Sequence, residues 1–514
     1  MLAPDAPGSL AGIVARIEHH AAVRGAAPAL LGPDGVMSYA ALNRAANRVA
    51  HALLAMPERS AGSGNGLVAI CMAPTTERIV AVIGALKAGF GYVPMNPALP
   101  DEGLRPLLEH AAPRCVLTDA TASARLHSLA KQVIDASALG DDGPETNPGR
   151  YPSGDDIAFI RYTSGSTGVP KGVVHNHRAA MGQSLSYNAI LDLGPDDRVS
   201  VLAFFPHAGI LGTLAVGAAL QVIDPKRDGI RAIAQRLRDE RITVLQVFPS
   251  AFRTVAIALR HGGPLPALRC VAFTGEPVSG ADVAMARRCM EPGGLVVNKL
   301  GSSEFIHIAS CTVDADMPAD SVVPAGFPPA GVSLRLMEAD GSTTPAGEVG
   351  EIEVRSRFMG TGYWKRPDRT AAVFSVAADG SGDGLYRTGD LGRFDADGRL
   401  VVLGRVDNQI KLNGFRTSPE EIEDVLSRHE AIAAAVVRPF TDERGRVLLA
   451  AFVQPSARAV AEPKVLREFA RARLPEAIVP VSIIVRDELP RTAAGKVDRR
   501  ALPDPLPIWR GQQA

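Results

Sequence analysis

Tyr162-Thr163-Ser164-Gly165-Ser166-Thr167-Gly168-Val169-Pro170-Lys171-Gly172 is the stretch on which the reading of this 514-residue chain turns. It follows the apolar run Ile157 to Ile160, which predicts a buried strand. Four hydroxyl side chains and three glycines let backbone N–H groups and hydroxyls approach an anion, and Lys171 adds positive charge. A loop of this kind holds a polyphosphate. It is not a Walker A loop, because Pro170 precedes the lysine and Gly172 follows it where Gly and Ser/Thr are required.

Outward from that loop the chain alternates apolar strands with helix-period segments. Leu67–Cys71, Cys115–Thr118, Asp156–Thr163, Val199–Ala203 and Val244–Val247 read as strands, with helices over Thr76–Ala88 and Arg231–Glu240. The pattern predicts an α/β fold with large, helix-covered, mostly parallel sheets. Before it, residues 10–55 read as two amphipathic helices around a short apolar turn. After about residue 320 the strands shorten (Gly331–Met337, Glu348–Arg355, Leu400–Leu403) and predict a small β-subdomain to about residue 404. Strands Ala434–Arg438, Leu448–Gln454 and Ser482–Val485 with helix Lys464–Arg473 predict a compact α+β unit over 408–514. The expected organisation is therefore a core over 1–404, a tight hinge at 405–407 and a small mobile C-terminal lid.

Composition removes several function classes. Lys+Arg and Asp+Glu are both 55, so no basic footprint for nucleic acid or an anionic membrane exists. Val199–Ile223 is uncharged and long enough to span a bilayer, but its Pro206, His207 and three glycines favour a buried strand, loop and helix. The five cysteines form no CxxC, which argues against zinc or a disulfide framework and fits a reducing cytoplasm. The first 25 residues lack the pattern of a signal peptide.

The phosphate-loop stretch resembles that of the adenylate-forming (AMP-binding) superfamily, which includes acyl-CoA synthetases, nonribosomal peptide adenylation domains, aryl-acid ligases and luciferases. Five further segments resemble it in order: Gly275-Glu276-Pro277, Leu300-Gly301-Ser302-Ser303-Glu304, Tyr386-Arg387-Thr388-Gly389-Asp390, Gly404 to Lys411, and Pro490 to Lys496. The resemblance covers nearly the whole chain. It implies an ATP-dependent ligase that joins a carboxylic acid to AMP, expels pyrophosphate and passes the acyl group to a thiol, with magnesium as the metal.

Roles follow from it residue by residue. Thr163, Ser164, Gly165, Ser166, Thr167, Gly168 and Lys171 would hold phosphates. Gly275, Glu276, Pro277, Leu300, Gly301, Ser302 and Ser303 would line the nucleotide, Asp390 would accept the ribose hydroxyls, and Arg405 would contact the ribose or the domain interface. Glu304 and Thr167 would hold Mg2+. Lys496 would be the catalytic cation at the reaction centre, Asp407 the hinge pivot, and Lys411, Asn413 and Gly414 the loop facing the thiol. Leu300 stands where the family has an aromatic residue, which implies apolar contact in place of stacking and a modest ATP affinity.

The acid is narrowed by what is missing. Amino-acid-activating members carry an aspartate in the segment after the strand that follows the phosphate loop; here that segment, Phe204 to Gly212, is without any acid. A buried ammonium without a partner is costly. The Phe-Phe-x-x-x-Gly cluster and the stretch Leu300 to Ile308 are similar to aryl-acid ligases, which would put Phe205, His207, Gly209, Lys299 and His307 at the acyl pocket. If two of His207, His307 and Lys299 line it, the substrate should carry a second anion or a hydrogen-bond acceptor. The segments around Asp407 and Lys496 read more like carrier-protein-loading domains than CoA ligases. The expected acceptor is the phosphopantetheine of a free-standing acyl or peptidyl carrier protein in natural-product biosynthesis. The alternatives left open are an aryl- or acyl-CoA synthetase, or an amino-acid enzyme with an atypical amine pocket; a luciferase-like oxygenase or an inactive binding module is less favoured.

Overall fold

The computed structural model describes residues 12–57, 66–139, 142–163, 171–202, 207–259, 262–314, 317–318, 321–345, 347–406, 410–412, 415–456, 461–490, 499 and 501–512. The chain forms an α/β assembly that divides into two compact units. The first takes in Met1–Pro97, Leu107–Tyr162 and Gly172–Gly404; the second takes in Ala98–Pro106, Thr163–Lys171 and Arg405–Ala514.

Eight elements carry the candidate site and are labelled in chain order: β1 (Ile157–Thr163), β2 (Lys171–Asn176), α1 (His177–Ile190), β3 (Arg198–Leu202), α2 (His207–Ala215), β4 (Val244–Val247), β5 (Cys270–Thr274) and β6 (Leu295–Leu300). An eight-stranded sheet runs in the order Ala309–Thr312, β6, β5, β4, β3, Ala219–Gln221, Pro28–Gly32, Gly35–Ser38. Its six inner strands are parallel and only the two outermost pairings are antiparallel. A seven-stranded sheet has the order Gly362–Tyr363, β2, β1, Gly91–Met95, Leu67–Cys71, Cys115–Thr118, Val133–Asp135.

Strands such as Leu67–Cys71 and β4 are buried along their whole length, as a parallel sheet covered on both faces demands. One apolar core lies between the helices Ile13–Val23, Tyr39–Leu54 and Thr76–Lys87 and the sheet residues Leu30, Val68 and Phe159. The helices start where their caps lie: Ser38 and Thr75 each accept a backbone N–H from the third residue on. A five-stranded sheet of Val332–Met337, Gly350–Ser356, Gly384–Phe394, Phe374–Val376 and Leu400–Arg405 forms the β-rich part of the first unit. In the second unit, Ile432–Thr441, Val447–Pro455 and Ser482–Val485 make a three-stranded sheet with helices Pro419–Ser427 and Pro463–Arg471 over an apolar core of its own.

One expectation needs adjusting. The short apolar turn between the first two helices is a β-hairpin, Pro28–Gly32 with Gly35–Ser38, whose first strand pairs in parallel with Ala219–Gln221. Asp34-Gly35 supplies the tight turn, with Gly35 at φ +129°. The uncharged segment Val199–Ile223 resolves into β3, α2 and the strand Ala219–Gln221, with residues 203–206 outside the described set. Among the described residues no helix is long and apolar enough to cross a membrane, and all five cysteines are free.

Candidate functional site

The turn that follows β6 is tied down at almost every residue. An added Cβ on Gly301 would lie 2.1 Å from the Ile306 carbonyl oxygen, so only glycine fits. Ser302 N–H donates to the Phe305 carbonyl at 2.9 Å, and Phe305 N–H donates back to Ser302 Oγ at 3.0 Å. Gln183 on α1 bridges two loops: its Oε1 accepts the Ile306 N–H and its Nε2 donates to the Phe358 carbonyl, both at 2.6 Å. His175 Nε2 lies 2.8 Å from the Ser303 carbonyl. Glu304 is thereby held 97% out of solvent, its Oε1 accepting from the Tyr363 hydroxyl at 2.9 Å. A carboxylate fixed in this way is a hard-oxygen ligand suited to Mg2+, which takes one or two carboxylates and completes its shell with water and phosphate. Thr167, the other expected ligand, lies outside the described residues.

Beside this turn, one face of β1 and β2 presents a stack of rings. Phe159 lies between two imidazoles, with centroids 4.1 Å from His207 (interplanar angle 8°) and 4.7 Å from His175. The Tyr92 hydroxyl is 2.7 Å from His207 Nδ1. Burial, and then the charge of Arg161, hold the His207 imidazole well below its ordinary pKa, so it stays neutral. His175 is pushed down to about 4 by burial, against the opposing pull of its Ser303 contact. Arg161 stands two residues beyond Phe159 on the same strand face, half-buried, where its charge reaches Glu304, His175 and His207. It is an interior cation that belongs to none of the motifs in the sequence.

A third group sits under α1 and against β6. Lys299 is buried, with Nζ 3.8 Å from the centre of the Tyr187 ring, a cation–π contact. His307 touches the edge of the same ring, its centroid 5.6 Å away. Ser186 Oγ lies 2.9 Å from His307 Nδ1 and Ser310 Oγ 2.8 Å from Nε2. Burial and then Lys299 push the His307 imidazole down to about 3, so it is a neutral wall. At the start of α2, a Cβ on Gly209 would come within 3.0 Å of Val201 and 3.3 Å of Gln246 Oε1, which seats that helix on β3 and β4.

The remaining expected positions fall as follows. Gly275 adopts φ +82° and packs where a Cβ would strike the Phe248 ring at 2.5 Å. The Glu276 carboxylate caps the helix Pro249–Leu259, accepting from Ser250 N–H at 3.0 Å and Ser250 Oγ at 2.8 Å. The Glu276 side chain is therefore engaged within the fold. Leu300 packs into the apolar cluster of Phe305, Ile352 and Tyr386. Asp390 is buried behind Gly389 (φ +71°), its N–H donating to Thr388 Oγ1 at 3.0 Å. Lys171 opens β2 and Arg405 ends the strand Leu400–Arg405. Thr163 closes β1. Ser164, Gly165, Ser166, Gly168, Phe205, Asp407, Asn413, Gly414 and Lys496 lie outside the described residues, as does the side chain of Lys411.

The fold and this turn are those of the adenylate-forming enzymes. Residues 17–364 match the AMP-binding enzyme family and residues 421–496 its C-terminal domain, and the chain belongs to that family. It is 32% identical over 486 residues to a linear gramicidin synthase protein of Brevibacillus parabrevis, covering 92% of this chain but 9% of that protein. It is 32% identical to novobiocin biosynthesis protein H of Streptomyces niveus, over 98% of this chain and 84% of the relative. Among solved structures, the amide bond synthetase McbA of Marinactinospora thermotolerans superposes with a TM-score of 0.81 at 27% identity, over 95% of this chain and 98% of that one. The chain thus spans only a small part of the gramicidin synthase protein it matches.

Tyr363, Gln183, His175 and Arg161 are not legible as site residues in the sequence. Tyr363 lies 59 residues from Glu304 and Gln183 lies 123 from Ile306, so no local pattern joins them. Arg161 carries the one usable signal, a charge inside an otherwise apolar strand.

Proposed function

We propose that this protein activates a carboxylic acid other than a standard α-amino acid, most simply an aryl acid, and delivers it to the phosphopantetheine thiol of a free-standing carrier protein. In the first step a carboxylate oxygen attacks the α-phosphorus of ATP, the bond to the bridging oxygen breaks, and pyrophosphate leaves with the electron pair. In the second, the thiolate attacks the acyl carbon and AMP departs. Positioning and charge stabilisation carry such a reaction.

Residues 163–168 and Lys171 hold the phosphates in this reading, Asp390 holds the ribose, and Lys496 meets the charge that builds between carboxylate and α-phosphate. Glu304, with Thr167, would hold Mg2+, which neutralises phosphate charge when bound. Asp407 is the pivot between the two steps. Lys411, Asn413 and Gly414 face the thiol.

The observation that carries the choice of acid is the interior face around Lys299 and His307. It holds a cation and a neutral imidazole, and the segment Val199–Ile223 beside it contains no carboxylate to meet an ammonium. The likeness to a gramicidin synthase, together with the segments around Asp407 and Lys496, supports a carrier protein as acceptor. The test is to incubate the protein with ATP, Mg2+ and an acid, detect the acyl-AMP by mass spectrometry, and then add holo-carrier protein or CoA. Thioester on the carrier supports the reading; thioester on CoA alone replaces the acceptor; acyl-AMP with α-amino acids alone overturns the choice of acid.

A further inference from the structure

Tyr162 and Gly172, the residues at the two ends of the phosphate-loop stretch, meet at one place. A Cβ on Gly172 would lie 3.2 Å from Tyr162 Cζ and 3.3 Å from Trp364 Cβ, so a glycine lets both rings close on the backbone there. Trp364 N–H donates to the Gly172 carbonyl at 2.7 Å. His110, in the last turn of the helix Asp101–Ala111, completes the group. Its Nδ1 lies 2.7 Å from the Tyr162 hydroxyl. Its carbonyl accepts from Trp364 Nε1 at 3.3 Å and from Lys365 Nζ at 2.9 Å. A carbonyl in the last helical turn lacks an intrahelical donor and favours a cation.

The turn that supplies Trp364 and Lys365 also reaches the other way, through the Tyr363 hydroxyl to Glu304. It is closed by Arg366 N–H donating to the Tyr363 carbonyl at 3.2 Å. Its third residue, Lys365, adopts φ +53°, where glycine or asparagine is expected. Strain of this kind persists where the surrounding structure holds it in place. A continuous chain of contacts thus runs from Tyr162 through His110 and Trp364 to Gly172, with Tyr363 extending it to Glu304. His110 and Lys365 belong to none of the motifs in the sequence.

We propose that His110, Lys365 and the turn Tyr363–Arg366 form a clasp that sets the spacing of the two ends of the phosphate loop and ties those ends to Glu304. They are positioning residues, remote from the reacting atoms. This rests on the reading of residues 163–168 and Lys171 as the phosphate loop. A loop whose ends are already fixed loses less freedom when it takes up ATP. Opening the clasp therefore weakens ATP binding and leaves the geometry of the bound state, and so kcat, nearly as it was.

The experiment titrates MgATP into the protein by calorimetry without any acid, and measures kcat for pyrophosphate release separately. His110→Leu and Tyr162→Phe should each raise Kd for MgATP roughly three- to tenfold, the worth of one hydrogen bond. Their kcat should change less than that. His110→Asn carries an amide oxygen at the δ position, where histidine has Nδ1, and accepts from the tyrosine hydroxyl. It should recover most of the affinity. Lys365→Gly relieves the left-handed backbone, so it should melt no lower than the unmodified protein while still raising Kd. Should His110→Leu fail to fold by circular dichroism, Tyr162→Phe, which removes a single oxygen, decides. An unmoved Kd in these variants, a loss carried by kcat alone, or His110→Asn binding no better than His110→Leu overturns the clasp and leaves the adenylation reading standing. Failure of the unmodified protein to bind MgATP removes the phosphate-loop reading, and this proposal with it.

Discussion

The Tyr363 hydroxyl donates to Glu304 Oε1 at 2.9 Å, joining the short strand Gly362–Tyr363 at the edge of the seven-stranded sheet to the turn after β6 in the eight-stranded sheet. The bond helps to aim a buried carboxylate. Around it, Gln183 and His175 fix the same turn from α1 and β2.

Removing that hydroxyl tests whether the carboxylate's aim matters. Tyr363→Phe should raise the magnesium concentration for half-maximal pyrophosphate release by roughly tenfold, about what one hydrogen bond to a charged group is worth. KM for the acid should stay nearly unchanged. A magnesium curve identical to that of the unmodified enzyme would show that Tyr363 serves the fold alone.

Arg161 places a cation within electrostatic reach of Glu304, His175 and His207. Arg161→Met removes it while keeping much of the apolar stem. The variant should raise KM for the acid or for magnesium ATP by about tenfold, because an anion is drawn into this interior. In the same variant His207 and His175 should titrate at higher pH by NMR, since one cause of their depression is gone. Unmoved imidazoles would place the guanidinium elsewhere.

How far the sequence reaches can be judged from particular elements. Cys115–Thr118 and Val244–Val247 have the bounds that their apolar runs predict, because a fully buried parallel strand leaves continuous hydrophobic sequence; Ser482–Val485 does so as an edge strand that ends on the exposed Val485. The hairpin Pro28–Ser38 is harder to read although Asp34-Gly35 marks its turn. Its two strands hold few residues, and they become a sheet edge only by pairing with Ala219–Gln221, far along the chain. Glu304 is legible because its motif is local. Its partner Tyr363 is not, since its significance depends on a strand that lies 59 residues further along the chain.

Glu421 is pushed up to about 7, chiefly by burial, with its Oε2 accepting from Thr417 Oγ1 at 3.1 Å. The folded state therefore binds a proton more tightly than the unfolded chain does, from about pH 4.5 to about 7. Stability conferred by the protonated form is present below about pH 4.5 and is lost as pH rises through that window. Glu421→Gln should abolish this decline. Hydrogen exchange in Pro419–Ser427, measured at about pH 5 and about pH 8 with correction for intrinsic rates, should show the variant more protected than the parent at the higher pH only. Equal protection at both pH values would contradict the assignment.

Lys496→Ala should lower the rate of acyl-AMP formation by on the order of a hundred- to a thousandfold, as loss of a charge aimed at the reacting oxygens does, while the acid still binds. Asp407→Pro should slow thioester formation more than adenylation. Stopped-flow and single-turnover assays separate the two steps, and equal losses in both would remove the pivot role from Asp407.

The proposed function turns on an acid that lacks an α-ammonium group. The most direct measurement is pyrophosphate release with ATP and Mg2+ across matched panels of aryl, hydroxy, fatty, β-amino and α-amino acids. The account predicts release with non-amino acids, strongest for an aryl acid bearing a second oxygen, and none above background with α-amino acids. Robust release with an α-amino acid alone would mean that an unidentified group meets its ammonium, and the account of the Lys299 and His307 face would fall.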